Sequence, residues 1–387
     1  MHSSKTFLNI LDGYSMNLRN NYIHKTIQTQ YATQFSAYRQ DYNQQAVDAY
    51  LLWQIIHEAN IHEANIHDTP SPPLEKEKIE IKVHVETLDD LISIAERNAY
   101  DESKEYNIDL KALHIIQPEL KRLNGMIGLA SVKTSILRQL MYFLQGFTED
   151  GDYKHTVLTG PPGTGKTEIA KILGNMYSKI GVLKKNTFKK VTRTDLVAGY
   201  LGQTAIKTRK VLDECMGGVL FIDEAYSLQS DDSYAKECVD TLCEALSDNK
   251  NDLMVIIAGY KTELDNSFFR INSGTRSRFI WRFDIEPYGP KDLFLIFQHL
   301  AASRNWTVEE KLKLKWFETN KQYFKDNGRS MEQLFSYSKI SHARRIFGKD
   351  ISLRKKLTCD DLNDGLSLYK EYGNTSQNDN ISMGLYI

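Results

Sequence analysis

Apolar positions along the chain follow three different periods, and each period predicts a different kind of element. Residues 1–67 are polar, tyrosine-rich and free of proline, with Tyr31, Phe35, Tyr38, Tyr42, Ala46 and Tyr50 at helical spacing on one face. That spacing predicts a helical hairpin or a long helix, whose aromatic stripe reads as an ordinary buried face in preference to a partner-docking surface. Ile79, Ile81, Val83 and Val85 then alternate with polar residues, the period-two mark of one half-buried strand that must pair with something. Residues 87–122 return to helical spacing, with Leu88, Leu91, Ile92, Ile94 and Ala95 in one apolar cluster. Further on, His155–Thr159 reads as a buried strand, and Gly218–Ile222 and Leu253–Gly259 are uninterrupted apolar runs, separated by amphipathic stretches such as Glu168–Tyr177. Buried strands alternating with helices predict a parallel sheet covered on both faces.

Punctuation divides these patterns. Pro70, Pro72 and Pro73 break any helix and mark the clearest linker, and residues after 372 are too polar to pack. A chain of 387 residues has room for two or three domains. Its 49 Lys and Arg against 50 Asp and Glu give no global attraction to nucleic acid or to an anionic membrane. Cys215, Cys238, Cys243 and Cys359 lack metal-site or disulfide spacing, which fits a reducing compartment, and Cys238 and Cys243 read as small packing residues. With no apolar run long enough to span a bilayer and no signal-type leader, a soluble cytoplasmic protein is expected.

One repeat invites a metal reading and fails it. IHEAN occurs in tandem at residues 56–60 and 61–65, but the position four after His57 is Ile61, and His57, His62 and His67 step by five, off a common helical face. A small duplication in a solvated helix end is the better reading.

The strongest chemistry lies in Gly160, Pro161, Pro162, Gly163, Thr164, Gly165, Lys166 and Thr167, between a buried strand and a helix. Glycines let successive backbone N–H groups curl around phosphate oxygens, and the following helix points the positive end of its dipole at them. Lys166 is placed to reach the β- and γ-phosphates and the Thr167 hydroxyl to ligate Mg²⁺, with Glu168 in the first helical turn. Downstream, the apolar run Gly218–Ile222 ends in Asp223 and Glu224. The first carboxylate suits a hydrated Mg²⁺, the second an attacking water, so Asp223 takes the metal role and Glu224 the general-base role. In a parallel sheet these motifs and the Ala258–Tyr260 turn converge beyond the carboxyl ends of the strands.

Taken together, LNGMIGLASVK (123–133), GPPGTGKTEIAKIL (160–173), VTRTDLVAGYLGQTAIKTRKVLDECMGGVLFIDEAYSL (191–228), AGYKTELD, GTRSRF and SHARRIF resemble an AAA+ ATPase of the group of CbbX and stage V sporulation protein K. The resemblance covers residues 118–371. It implies an α/β fold, an AAA+ P-loop NTPase core with a parallel sheet between helices, a helical C-terminal lid and a mostly helical N-terminal extension. The implied division is a helical region at 1–67, linker and strand at 68–86, helical connector at 87–117, ATPase subdomain at 118–287, lid at 288–371 and tail at 372–387.

The resemblance also assigns roles. Arg278 is the first candidate for an arginine finger serving a neighbouring subunit, and Arg276 the second. Arg344 would reach the nucleotide as sensor two, with Arg345 structural, while Ile127 and Gly128 would lie near adenine. Tyr200, Leu201 and Gly202 would form an aromatic pore loop gripping an extended polypeptide. One departure concerns Tyr260, which stands where many relatives carry a sensor-one asparagine; Lys261 or a neighbour would take over that role. The implied cofactors are ATP and Mg²⁺, the implied assembly a homo-oligomer, commonly six subunits, and the implied function remodelling of a protein target. A nucleotide-gated scaffold recruiting partners through the N-terminal region is the alternative, ahead of a nucleic-acid remodeller, against which the neutral charge counts.

Overall fold

Strands at the centre of the molecule face two hydrophobic interiors at once. The structure, a computed structural model, describes residues 76–149, 151–200, 202–229 and 231–372. The tyrosine stripe, the IHEAN tandem, the three prolines, Leu201 and the tail beyond 372 lie outside the described residues.

Five strands form a wholly parallel sheet: β3 (Thr156–Thr159), β4 (Phe188–Val191), β5 (Val219–Ile222), β6 (Met254–Gly259) and β7 (Trp281–Asp284), in the order β4-β5-β6-β3-β7. Successive side chains point to opposite faces, so Leu158, Phe221, Ile256 and Ala258 enter one core while Val157, Leu220, Ile222, Val255 and Ile257 enter the other. The first core is closed by α3 (Ala130–Leu144) and α4 (Lys166–Lys179), and the second by α6 (Thr204–Glu214) and α7 (Ser233–Asp248). Cys238 and Cys243 are buried on α7, as their packing role requires. Burial pushes the Cys238 thiol up to about 11.

At the start of the described chain, β1 (Glu77–Ile79) pairs in parallel with β2 (Lys104–Tyr106). The expected strand through Val85 stops at Ile79 because its partner turns away after Tyr106. Asn107 extends the pairing with its side chain, accepting from the Ile81 N–H at 2.8 Å and donating to the Ile81 carbonyl at 3.2 Å. Val83, left without a partner, is exposed. Between these strands, α1 (Leu88–Arg97) buries the expected cluster, and its start is fixed by Thr87 and Asp90 in a reciprocal capping box. α2 (Leu110–Gly125) follows β2, so the predicted helical stretch is interrupted by a short strand.

Beyond β7 the chain is mostly helical, with α11 (Pro290–Ser303), α12 (Leu314–Asn320), α13 (Gly328–Ile346) and α14 (Cys359–Tyr372). The minor strands β8 (Thr307–Val308) and β9 (Lys356–Leu357) pair among them. The short helices α5 (Arg193–Leu196), α8 (Lys261–Asn266), α9 (Phe268–Ile271) and α10 (Ser273–Arg278) complete the described α-helices. Among the described residues no helix is long and apolar enough to cross a membrane.

Candidate active site

The sheet delivers its chemistry at the carboxyl ends of β3, β5 and β6. At Gly160 the chain leaves β3 with φ 149°, and a Cβ there would stand 2.6 Å from the Ile285 carbonyl oxygen, so only glycine lets β7's exit pass so close. The Gly160 N–H donates to the Gly259 carbonyl at 3.1 Å, which ties the loop to the end of β6. Lys166 folds back over the loop and donates to the carbonyls of Gly160 and Pro161, both at 2.8 Å. The Thr164 hydroxyl donates to Pro161 at 2.8 Å. Burial lowers the Lys166 pKa; Asp223 opposes it, Arg329 adds to it, and Glu224 opposes it. These charges therefore share one small volume.

Asp223 continues β5 through its N–H, which donates to the Val191 carbonyl at 2.9 Å. Its carboxylate lies 2.6 Å from the Lys190 ammonium and accepts from the Glu224 N–H at 3.1 Å. Glu224 has φ 52°, a left-handed conformation that few residues other than glycine adopt and one that concentrates at functional sites. The turn lifts the exposed Glu224 out of the strand line. Asp223 and Thr167 are hard oxygen donors of the kind Mg²⁺ takes when phosphates and waters complete its shell. Among the described residues no cluster of three His, Cys, Asp or Glu offers an all-protein metal cage.

At the sensor-one position Tyr260 lays its ring beside Lys166, 6.0 Å from ammonium to centroid, and against Tyr226 at 5.6 Å. Lys261, the expected substitute, is engaged elsewhere, 2.7 Å from the Asp284 carboxylate. Glu168 also turns from the loop and pairs through its carboxylate with Arg122. Near the leading segment, a Cβ on Gly128 would stand 3.2 Å from the Tyr288 ring, and one on Gly165 would meet the Met126 methyl at 3.0 Å. Ile127 and Gly128 are thus next to the loop.

The sensor-two expectation needs correction. The start of α13 lies on the phosphate loop: the Gly328 N–H donates to the Gly163 carbonyl at 3.0 Å, and a Cβ on Gly163 would lie 2.8 Å from the Arg329 nitrogen. At 1.5 Å per residue, Arg344 is about 22 Å further along the same helix and cannot reach the loop. The arginine that lies against the loop is Arg329, in the first turn of α13. Arg345 is held by the buried Asp361, at 2.7 Å from Nε, beside the buried His342. A signal for Arg329 was present in the sequence: Asn327-Gly328 is a turn dipeptide, and a cation in the first turn of a helix opposes the helix dipole, so it wants a local reason.

Arg278 and Arg276 sit far from their own phosphate loop. Phe279 packs on His155 with centroids 5.7 Å apart, at the opposite end of β3, a strand length or about 16 Å from Gly160. Arg278 donates to the Ser247 hydroxyl at 2.6 Å and to the Gly274 carbonyl at 2.7 Å, while Arg276 lies 2.8 Å from Asp265. The connection from α5 to α6 carries Tyr200, which is 73% exposed and so is no core residue. Its base is pinned by Lys207, whose ammonium donates to the Thr194 and Val197 carbonyls at 2.6 and 2.9 Å. Gly202 takes φ 75° beyond it.

A glycine-rich strand-to-helix loop, a lysine over it and paired acids at the end of β5, one strand removed across β6, define a P-loop nucleotide hydrolase. Residues 156–282 match the family described as "ATPase family associated with various cellular activities (AAA)". Over 302 residues the chain is 36% identical to the cfxQ-like protein R730 of Acanthamoeba polyphaga mimivirus, covering 76% of this chain and 74% of that protein. It is 35% identical to protein CbbX of Cereibacter sphaeroides over 237 residues, 57% of this chain and 76% of that protein. It is 34% identical to the chloroplastic ribulose bisphosphate carboxylase/oxygenase activase of Cyanidioschyzon merolae over 255 residues, 61% of this chain and 84% of that protein. Some other curated relatives are spanned over only about a third of their own length. The chain belongs to the AAA+ ATPases of the CbbX and CfxQ group, and it is a nucleotide-binding enzyme that hydrolyses ATP.

Proposed function

We propose that this ATPase remodels a protein target, working as a homo-oligomeric ring, with six subunits as in the family it resembles. The reading rests above all on Tyr200, an aromatic side chain 73% exposed on a loop whose base is fixed by Lys207. A large apolar group held out on a rigid base is suited to grip an extended polypeptide without reading its sequence. Kinship with the activase named above supports a protein, in place of a nucleic acid, as the object of the work.

In the proposed cycle the backbone N–H groups of residues 160–167 cradle the phosphates of ATP and Lys166 reaches the β- and γ-phosphates. Glu224 orients the attacking water and takes its proton. Arg329 approaches from α13, and Arg278, or Arg276 as second candidate, arrives from the adjacent subunit to stabilise charge on the transferring phosphoryl group, an effect worth about a thousandfold or more in related hydrolases. Thr167 and Asp223 would hold Mg²⁺, which when bound neutralises charge on the phosphate oxygens. The separation of Arg278 from its own loop by the length of β3 supports delivery in trans.

Glu224→Gln should bind ATP yet hydrolyse it at least about a hundredfold more slowly, and so hold the target for affinity capture. Tyr200→Ala should abolish remodelling of the captured target with ATP hydrolysis retained. Native turnover in Glu224→Gln would remove the base assignment, and unimpaired remodelling by Tyr200→Ala would favour a nucleotide-gated scaffold.

A further inference from the structure

Asn327 carries a combination that ordinary packing does not require. It is 2% exposed, and it holds φ 52° with ψ −120°, a combination outside the common left-handed well for a residue with a side chain. It occupies the position preceding α13, where an asparagine ordinarily accepts from the first helical N–H groups, but its side chain makes no such bond. The amide is used outward instead. Its Oδ1 accepts from the Tyr288 N–H at 2.8 Å, and its Nδ2 donates to the Pro162 carbonyl at 3.1 Å and the Lys325 carbonyl at 3.3 Å.

The neighbouring contacts extend this pattern. The Gly328 N–H donates to Gly163, and the Tyr288 hydroxyl donates to the Thr164 carbonyl at 3.1 Å. Three successive carbonyls of the phosphate loop, at Pro162, Gly163 and Thr164, are therefore taken by donors from residues 288, 327 and 328. A Cβ on Gly328 would stand 2.7 Å from the Gly163 oxygen, and one on Gly163 would stand 2.1 Å from the Asp326 oxygen, so the two backbones meet without side chains between them.

We propose that Asn327 is a positioning residue that couples the phosphate loop to the C-terminal helices and, through the amide that holds its uncommon backbone conformation in place, sets Arg329 against the nucleotide. Fixing the carbonyls from outside leaves the loop's N–H groups directed at the phosphates. A shift of the loop as the γ-phosphate leaves is transmitted to the start of α13 through the same bonds. The inference rests on the reading that Arg329 faces the nucleotide.

The test is a double-mutant cycle in the full chain, with steady-state ATP hydrolysis and equilibrium binding of ADP as readouts. Asn327→Gly keeps the backbone conformation accessible and removes only the amide. It should raise KM for ATP and weaken ADP binding by about tenfold. Arg329→Ala should lower kcat/KM by at least about tenfold in the native chain but by less than about twofold in Asn327→Gly, because the two substitutions break one unit. Gly328→Ala, which suits a helix start but presses on the Gly163 carbonyl, should raise KM in the same way with Asn327 intact, and it serves if Asn327→Gly does not fold. An unchanged KM in Asn327→Gly, or the same fold-loss from Arg329→Ala in both backgrounds, overturns the role of Asn327. Arg329→Ala without effect in the native chain overturns the placement of Arg329 itself, a different failure.

Discussion

Single residues show how far burial can set chemistry in this protein. His155 is completely buried at the start of β3, where its Nδ1 accepts from the Val255 N–H at 3.1 Å and its Nε2 faces the Leu246 carbonyl at 3.2 Å. A neutral ring satisfies both partners, and burial lowers its pKa from the ordinary 6.5 to about 4. The unfolded chain takes up this proton near pH 6.5 and the folded one only near pH 4. The contribution is therefore whole above 6.5, declines as pH falls through that window, and totals roughly 3 kcal/mol. Urea unfolding of His155→Gln should show lower stability than the native protein at pH 7 but a smaller loss on going to pH 5, by about 2 kcal/mol. Equal losses would show that another group carries the titration. At the same scale, the phosphate-loop residues and Asp223–Glu224 were legible in the sequence because their spacing is local. Arg329 carried only the weak local signal of its turn dipeptide, and what distinguishes it from Arg344 is proximity to residues more than 160 positions away.

Elements differ in how plainly they announce themselves. Strands β3, β5 and β6 are interior to the sheet and face apolar cores on both sides; β5 and β6 stand out as continuous apolar runs, while β3, Thr-Val-Leu-Thr, is marked by its place before the glycine-rich loop. The edge strands β4 and β7 read Phe-Lys-Lys-Val and Trp-Arg-Phe-Asp, and no hydrophobic run reveals them. Charge on an edge guards it against unwanted pairing, and the same charge hides it from pattern reading. Lys190 shows the reason in detail, since its ammonium sits on Asp223. β2, three residues long and polar, had no period to detect. The surroundings of α13 change along its length, with the phosphate loop against its first turn and the Asp361 anchor near its last. Arg329→Ala should therefore weaken ATP turnover while Arg344→Ala leaves KM and kcat within about twofold of native, the usual consequence of an exposed substitution remote from the site. A tenfold effect from Arg344→Ala would reverse this assignment.

For the whole molecule, the length of β3 between phosphate loop and Arg278 makes a prediction about assembly. Lys166→Ala should be inactive for want of nucleotide, and Arg278→Ala inactive for want of a finger. Mixed in equal amounts, the two should recover a measurable part of native ATPase activity, because sites from the second subunit would meet fingers from the first. No recovery, with mixed oligomers demonstrated, would mean that Arg278 does not act across subunits. The strand order has a different consequence, for synthesis. β3 lies between β6 and β7, and its paired residues are 100 and 125 positions downstream. A ribosome that has just completed the phosphate loop has made a segment with neither neighbour: β3 has nothing to pair with until β6 emerges, and it stays a bare edge until β7 does. At about 5–20 residues per second, the buried faces of β3 and β5 wait several seconds or more for their cover. Nascent chains stalled before residue 284 should accordingly be protease-sensitive and in need of chaperones, with the nucleotide unable to help, because the cradle that would receive it packs on Ile285 and is hydrogen-bonded by residues 288, 327 and 328, none of them yet made.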